Sequence, residues 1–141
     1  MRPFVMQRLL LSRTKAELIE LSRHGFVAMG PSSETAAEGH ADDLQNAGSE
    51  SRCVGFAAVE VYSAKLAELQ CLAVDAAHQR SGVGKQLVQL CVQRARDLGV
   101  MEVMAISSSE SFLQNCGFDY SLPDQKRALF FQLRPRPYEE R

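Results

Sequence analysis

No apolar run in this 141-residue sequence approaches the roughly 20 residues that a membrane-spanning helix requires. The stretch Arg8-Leu9-Leu10-Leu11-Ser12 is also too short for the core of a secretion signal. A cytoplasmic protein with no membrane partner is therefore expected. A surplus of charge is lacking as well, since the net charge is −1 and the isoelectric point lies near 6.3. Nucleic-acid binders usually concentrate basic residues on one face. The two basic clusters here, Arg8, Arg13 and Lys15 near the start and Lys126, Arg127, Arg134 and Arg136 near the end, read as solvated surface, so no nucleic-acid partner is expected. No Cys-x-x-Cys pair occurs, and Cys53, Cys71, Cys91 and Cys116 are widely spaced. They read as reduced core residues rather than metal ligands or disulfide partners, and no metal is expected.

What is present is a chain that is 45% hydrophobic and long enough for one domain with a core, here residues 1–141. Ser12 or Thr14 can cap a helix running to about Arg23, Glu17 three residues after Thr14 completing a capping box and Leu18, Ile19 and Leu21 giving its apolar side. Phe26 to Met29 reads as a strand, and Cys53 to Tyr62 as a second that is apolar on both faces and hence central. Between them, residues 31–51 hold Glu34, Glu38, Asp42, Asp43 and Glu50 with no basic residue before Arg52. Such a segment buries too little apolar surface to offset its ordering entropy, and a mobile acidic hairpin insertion is expected there. Tyr62 to Lys65 is a tight connection into the strand Leu66 to Asp75. A helix follows, with Leu87, Cys91, Ala95 and Leu98 on one stripe, Leu90 beside it and Gly99 as its C-terminal stop. The strand Val100 to Ile106, a short helix from Ser109 to Asn115, a turn at Gly117-Phe118 into another strand, and a last strand from Ala128 to Leu133 complete an α/β (α+β) alternation around a mixed sheet.

The most informative stretch joins the strand ending Leu72-Ala73-Val74 to the following helix through Gln79-Arg80-Ser81-Gly82-Val83-Gly84. The first turn of a helix has N–H groups without intrahelical partners and lies at the positive end of the macrodipole, so a phosphate fits there. Two other phosphate loops are excluded by counting. A Walker A loop needs Gly at position 79 and Ser or Thr at 86, where the chain has Gln79 and Gln86. A dinucleotide fingerprint needs a small third residue where it has Leu87.

The order Gln79-x-x-Gly82-x-Gly84 after a strand resembles the pyrophosphate loop of the GNAT acyltransferases. Glu68-Leu69-x-x-Leu72-x-Val74, the helix end Leu98-Gly99, the strand Val103 to Ile106, and Phe112 ahead of Gly117-Phe118 extend the resemblance. Within that superfamily the chain is most similar to the acetyltransferase domain of N-acetylglutamate synthases. The similarity rests on Leu10-x-Ser12-Arg13-Thr14 before Phe26-Val27-Ala28, on Cys71-Leu72-Ala73-Val74, and on Leu122-Pro123-x-x-Lys126-Arg127-x-Leu129. It departs from the synthases at Ile106-Ser107-Ser108, where they carry an arginine after two threonines. It departs also at Phe130 and Leu113, which stand at family tyrosine positions, and in its start, where the fold's first strand and helix look missing or shortened.

The resemblance implies a GNAT fold, a mixed central sheet with splayed strands and flanking helices, and acetyl-CoA as cosubstrate. It implies that Leu72, Ala73 and Val74 offer main-chain groups to the pantetheine arm, that Gln79, Arg80, Ser81, Gly82, Val83, Gly84 and Lys85 hold the pyrophosphate, and that Phe112 lies beside the cofactor. Glu68 is the implied base, because an alkylammonium of pKa about 10 must lose a proton before it attacks a thioester. Gln70, Ser107 and Ser108 are candidates for the acceptor side. Period-two alternation sets Glu68 and Gln70 on one face with Leu72 and Val74. The implied reaction is acetyl transfer to the primary amine of a small molecule, an amino acid among the candidates, though a serine at 108 cannot clamp glutamate's carboxylate as an arginine does. A degenerate acyl-CoA-binding sensor module and a protein or peptide N-acetyltransferase remain alternatives. A homodimer is expected, because a sheet lacking its first strand exposes an edge. His24, His40 and His78 supply no alternative triad.

Overall fold

The computed structural model describes residues 12–31, 51–120 and 133. Helix α1, Lys15–Ser22, starts after Thr14, the second of the two caps that the sequence offers. The Thr14 hydroxyl accepts the Glu17 N–H at 3.2 Å, and the Glu17 carboxylate accepts the Thr14 N–H at 2.6 Å, so two donors that the helix start leaves unpaired are satisfied together. Leu21 is buried, whereas Ile19, expected on the apolar side, is 56% exposed.

Strand β1, Gly25–Pro31, runs antiparallel to β2, Ser51–Val61. Pro31 and Ser51 are register partners, so the chain leaves and re-enters the sheet at neighbouring positions. The expected acidic insertion itself lies outside the described residues, as do the strands expected after Gly117-Phe118, His40 and everything before residue 12. Strand β3, Leu66–Val74, pairs antiparallel with β2. The connection between them is tight, with the N–H groups of Tyr62 and Ser63 both donating to the Leu66 carbonyl, at 3.0 and 3.1 Å. A short 3-10 turn, Ala76–His78, leads to helix α2, Val83–Asp97. Strand β4, Glu102–Ala105, shorter than the sequence suggests, lies parallel to β3, and helix α3 is Glu110–Asn115. The described sheet has the order β1-β2-β3-β4, which makes β2 central as its two apolar faces require.

Helix α2 presses Leu87, Val88, Cys91 and Ala95 against Ala57, Val59, Ala67 and Leu69 of the sheet, with Leu113 of α3 closing the same core. Leu98 does not belong to this stripe. The helix ends at Asp97, Leu98 is already its cap at 42% exposure, and Val88 packs into the core instead. Gly99 then takes the left-handed conformation, φ +73°, that ends a helix without strain. The opposite face of the sheet carries a smaller apolar cluster, Leu21, Ala58 and Cys71 with Phe56 beside it.

All four cysteines are free thiols. Burial pushes the Cys91 thiol up to about 12 and raises that of Cys71. Cys53 corrects the expectation of a core residue, since it is exposed, with its thiol donating to the Gly55 carbonyl at 3.4 Å. Among the described residues no helix is long and apolar enough to cross a membrane, and no three His, Cys, Asp or Glu side chains cluster as metal ligands would.

Candidate functional site

The two strands at the centre of the site part company half-way along. Pairing of β3 with β4 runs from Leu66 opposite Glu102 to Leu69 opposite Ala105 and stops there, while β3 continues to Val74 with β2 alone. A bulge marks the parting. Phe56 faces Ala73 and Ala58 faces Gln70, so Ala57 opposes both Cys71 and Leu72, and Cys71 adopts a left-handed φ of +57°.

That extra residue reverses the faces of the strand. Before the bulge Ala67 and Leu69 lie under α2; after it Leu72 and Val74 do, while Cys71 joins the α1-side cluster. Glu68 and Gln70 therefore do not share a face with Leu72 and Val74. The simple alternation expected from the sequence fails at this point because a one-residue bulge shifts every later side chain to the other side.

Beyond β3 the chain is held in a compact turn. The Asp75 N–H donates to the Val54 carbonyl at 2.7 Å, the Gln79 side chain donates to the Val74 carbonyl at 3.1 Å, and the Ser81 hydroxyl donates to the His78 carbonyl. An Arg52–Asp75 ion pair, with His78 Nδ1 3.5 Å from the same carboxylate, secures its base. Arg80 and Gly82 both take left-handed conformations, φ +62° and +86°. Gly82 has nothing within 4 Å of where a Cβ would lie, so glycine is required there by conformation and not by space.

Gly82 is the N-cap of α2, and the first helical bond at this end is from the Gln86 N–H to the Gly82 carbonyl at 3.0 Å. The N–H groups of Val83, Gly84 and Lys85 thus lie at the positive end of the helix without an intrahelical acceptor. At Gly84 the demand is for space: a Cβ would sit 3.3 Å from the Phe112 ring and 3.6 Å from Val74. The missing side chain lets the start of α2, the end of β3 and Phe112 converge.

A polar network lies on the α1 side of the sheet at the root of the fork. Glu68 on β3 is the register partner of Glu60 on β2 and of Met104 on β4. The Tyr62 hydroxyl donates to Glu68 and lies 3.3 Å from Glu60. The Gln70 side-chain amide donates through Nε2 to Tyr62 at 3.4 Å, and Arg13 donates to Gln70 Oε1 at 2.7 Å. Burial first, then the hydrogen bond to Glu68, pushes the Tyr62 phenol up to about 12.

The expected residues fall into separate groups. Val74, Gln79 to Lys85 and Phe112 converge at the start of α2, and Glu68 lies with Gln70 near the fork. Ser107 and Ser108 are exposed in the segment after β4, the Ser107 hydroxyl accepting the Ser109 N–H at 3.0 Å. Leu113 is buried in the core, and Tyr120 is 70% exposed with its phenol raised by a hydrogen bond to Glu110. His24 accepts a hydrogen bond from Arg94 at 3.2 Å. Sequence reasoning missed Glu60 and Tyr62 as neighbours of Glu68. Their signal was the even spacing Glu60, Tyr62 leading into the turn, which points at Glu68 only once the antiparallel register is known.

The sequence profile of the Acetyltransferase (GNAT) family matches residues 16–118. Rv2747 from Mycobacterium tuberculosis, solved in complex with CoA, is 27% identical with a TM-score of 0.58, over 77% of this chain and 56% of its own. N-acetylglutamate synthase from Neisseria gonorrhoeae, solved with coenzyme A and N-acetyl-glutamate, is 25% identical with a TM-score of 0.59, over 81% of this chain and 23% of its own. The present chain thus spans only part of either relative. AAC(6')-Iy, solved with a bisubstrate analogue, shares the fold at 19% identity and a TM-score of 0.54, over 92% of this chain and 87% of its own.

Proposed function

Because the chain belongs to the acetyltransferase (GNAT) family, we propose that it transfers acetyl from acetyl-CoA to the primary amine of a small molecule. The observation that carries this reading is the parting of β3 from β4 after Leu69 and Ala105, opening beside the unpaired N–H groups at the start of α2. Beyond the end of pairing with β4, Leu72, Ala73 and Val74 offer main-chain groups to a pantetheine arm, the Val74 carbonyl being shared with the Gln79 side chain. The amides from Gln79 to Lys85 receive the pyrophosphate, and Phe112 flanks it. The likeness to two proteins solved with CoA supports this choice of cosubstrate.

Glu68 stands one residue before pairing with β4 ends, at the root of the opening. In this reading its carboxylate takes a proton from the acceptor ammonium. The free amine attacks the thioester carbonyl, a C–N bond forms and the C–S bond breaks; the acylated nitrogen gives up its second proton, which passes through water to the departing coenzyme A thiolate, and the proton held by Glu68 returns to solvent. A thiol of pKa about 8.5 departs without a strong acid, which fits the burial of Leu113 at the position that the family resemblance matches to a tyrosine. Gln70, on the same face as Glu68, and Ser107 and Ser108 make up the acceptor side. The likeness to a synthase solved with N-acetyl-glutamate supports an amino-acid acceptor, while the uncharged Ser108 weighs against glutamate itself.

The test is a panel of amines, amino acids and peptides assayed by thiol release from acetyl-CoA. Turnover with small amines is the expected result. Tight acetyl-CoA binding with no turnover would leave an acyl-CoA-binding module, and turnover confined to peptides would leave a peptide acetyltransferase. The reading also includes a single domain and a homodimer, with β1 at the edge of the described sheet as its contact. A monomer at micromolar concentration in analytical ultracentrifugation would remove the dimer.

A further inference from the structure

Four side chains from three parts of the fold form one directed chain of donors. Arg13, just before α1, donates to Gln70 Oε1 at 2.7 Å; Gln70 Nε2 donates to the Tyr62 hydroxyl at 3.4 Å; and Tyr62 donates to Glu68 Oε2. Each link donates toward Glu68 and none points back. Chains of this kind polarise one another, and their carboxylate end is held in a fixed orientation. Tyr62 is the link that reaches Glu68, and it is the first residue after β2, in the tight connection that the Leu66 carbonyl fastens.

We propose that Tyr62 is a positioning residue for the transfer reaction, its hydroxyl fixing one oxygen of the Glu68 carboxylate so that the other faces the acceptor amine. The proposal rests on the reading of Glu68 as the base. Tyr62 is suited to the role because it remains a donor throughout the useful range, its phenol being pushed up to about 12 by burial and by Glu68 itself. A second carboxylate, Glu60, lies 3.3 Å from the same hydroxyl and directly across the strand pair from Glu68. Two carboxylates that face each other repel, and the Tyr62 proton between them is what lets Glu68 rest in one place. Without the hydroxyl, Glu68 loses its donor and keeps its repelling neighbour, so it swings away from its present direction.

Tyr62 is 51% exposed, so replacing it with phenylalanine removes the hydroxyl without opening a cavity. Tyr62→Phe is expected to lower kcat about 10-fold, a loss in keeping with a misaligned reacting group, and to leave the KM for acetyl-CoA unchanged. In a Glu68→Gln background the same substitution should cost nothing further, because a residue that acts only through Glu68 has nothing left to act on. Full activity of Tyr62→Phe beside a slow Glu68→Gln would overturn the positioning role and leave the base in place. Equal losses in both backgrounds would overturn it too, by showing a general structural effect. A fast Glu68→Gln would instead remove the base reading, and this proposal with it. A second measurement needs no turnover: the fluorine NMR signal of a fluorotyrosine placed at position 62 should move on Glu68→Gln. An unmoved signal would show that the hydroxyl does not rest on that carboxylate.

Discussion

The two faces of the central sheet differ in kind. Under α2 the contacts are apolar throughout, with Val59, Val88 and Cys91 almost wholly buried and Ala57, Leu69, Leu87 and Ala95 around them. On the α1 side the apolar cluster is only Leu21, Ala58 and Cys71 with Phe56, and next to it Arg13, Gln70, Tyr62, Glu60 and Glu68 form a hydrogen-bonded network. Buried apolar area stabilises without direction, whereas hydrogen-bonded polar groups orient one another at little net gain in stability. The buried core thus lies on one face, and the residues to which the proposed function gives the proton transfer lie on the other. The bulge at Cys71 joins the two, because it turns Leu72 and Val74 toward α2 while Glu68 and Gln70 stay on the polar side.

The sharpest way to break this division is to weaken the apolar face. Leu87 is 2% exposed and packs over Gly55, so Leu87→Ala should lower unfolding free energy by about 2–5 kcal/mol. Urea denaturation measures the loss, and a smaller shift than that from a surface substitution would argue that the core lies elsewhere. The complementary change is Glu68→Gln, for which turnover should fall roughly 10²-fold or more. Its urea midpoint should stay close to that of the parent protein, and a large drop in stability would mean that the polar face also holds the fold together.

A smaller effect is expected where α1 begins. Thr14→Ala removes the side chain that caps the helix and should cost about 1 kcal/mol. Hydrogen bonds from the Thr14 backbone and hydroxyl hold the exposed Glu17 carboxyl below its ordinary pKa. A depressed folded value means that this contribution is complete above the unfolded carboxylate pKa, about 4.3, and is lost as the pH falls through the lower folded value. The difference between parent and Thr14→Ala should accordingly shrink in acid. A difference that stays constant down to that range would place the cap's effect outside the Glu17 carboxylate.

Features that depend on a few neighbouring residues were legible in the sequence. The Thr14–Glu17 cap, the left-handed Gly99 and Gly117, the central position of β2 and the start of α2 after the glycine loop all follow from local chemistry. What depends on pairing was not. The bulge exists only relative to β2, where Ala57 meets two residues of β3, and nothing in Gln70-Cys71-Leu72 announces it. Tyr62 reads as a turn residue until the register of two strands sets it against Glu68. Gly84 reads as an opening for phosphate, yet its absent side chain faces Phe112, so packing also draws on the glycine that the proposed function gives to the pyrophosphate.

That double demand gives the most direct test of the claim that the start of α2 receives the pyrophosphate. Acetyl-CoA binding is measured by calorimetry on the parent protein, Gly84→Ala and Gly84→Glu. Both variants crowd Phe112, whose ring would lie 3.3 Å from the new Cβ, but only glutamate adds negative charge. Gly84→Glu is expected to bind roughly 10-fold or more weakly than Gly84→Ala, since like charges brought together near a protein surface repel by about one to a few kcal/mol. Equal affinities in two folded variants would contradict it, and the pyrophosphate would have to be held elsewhere.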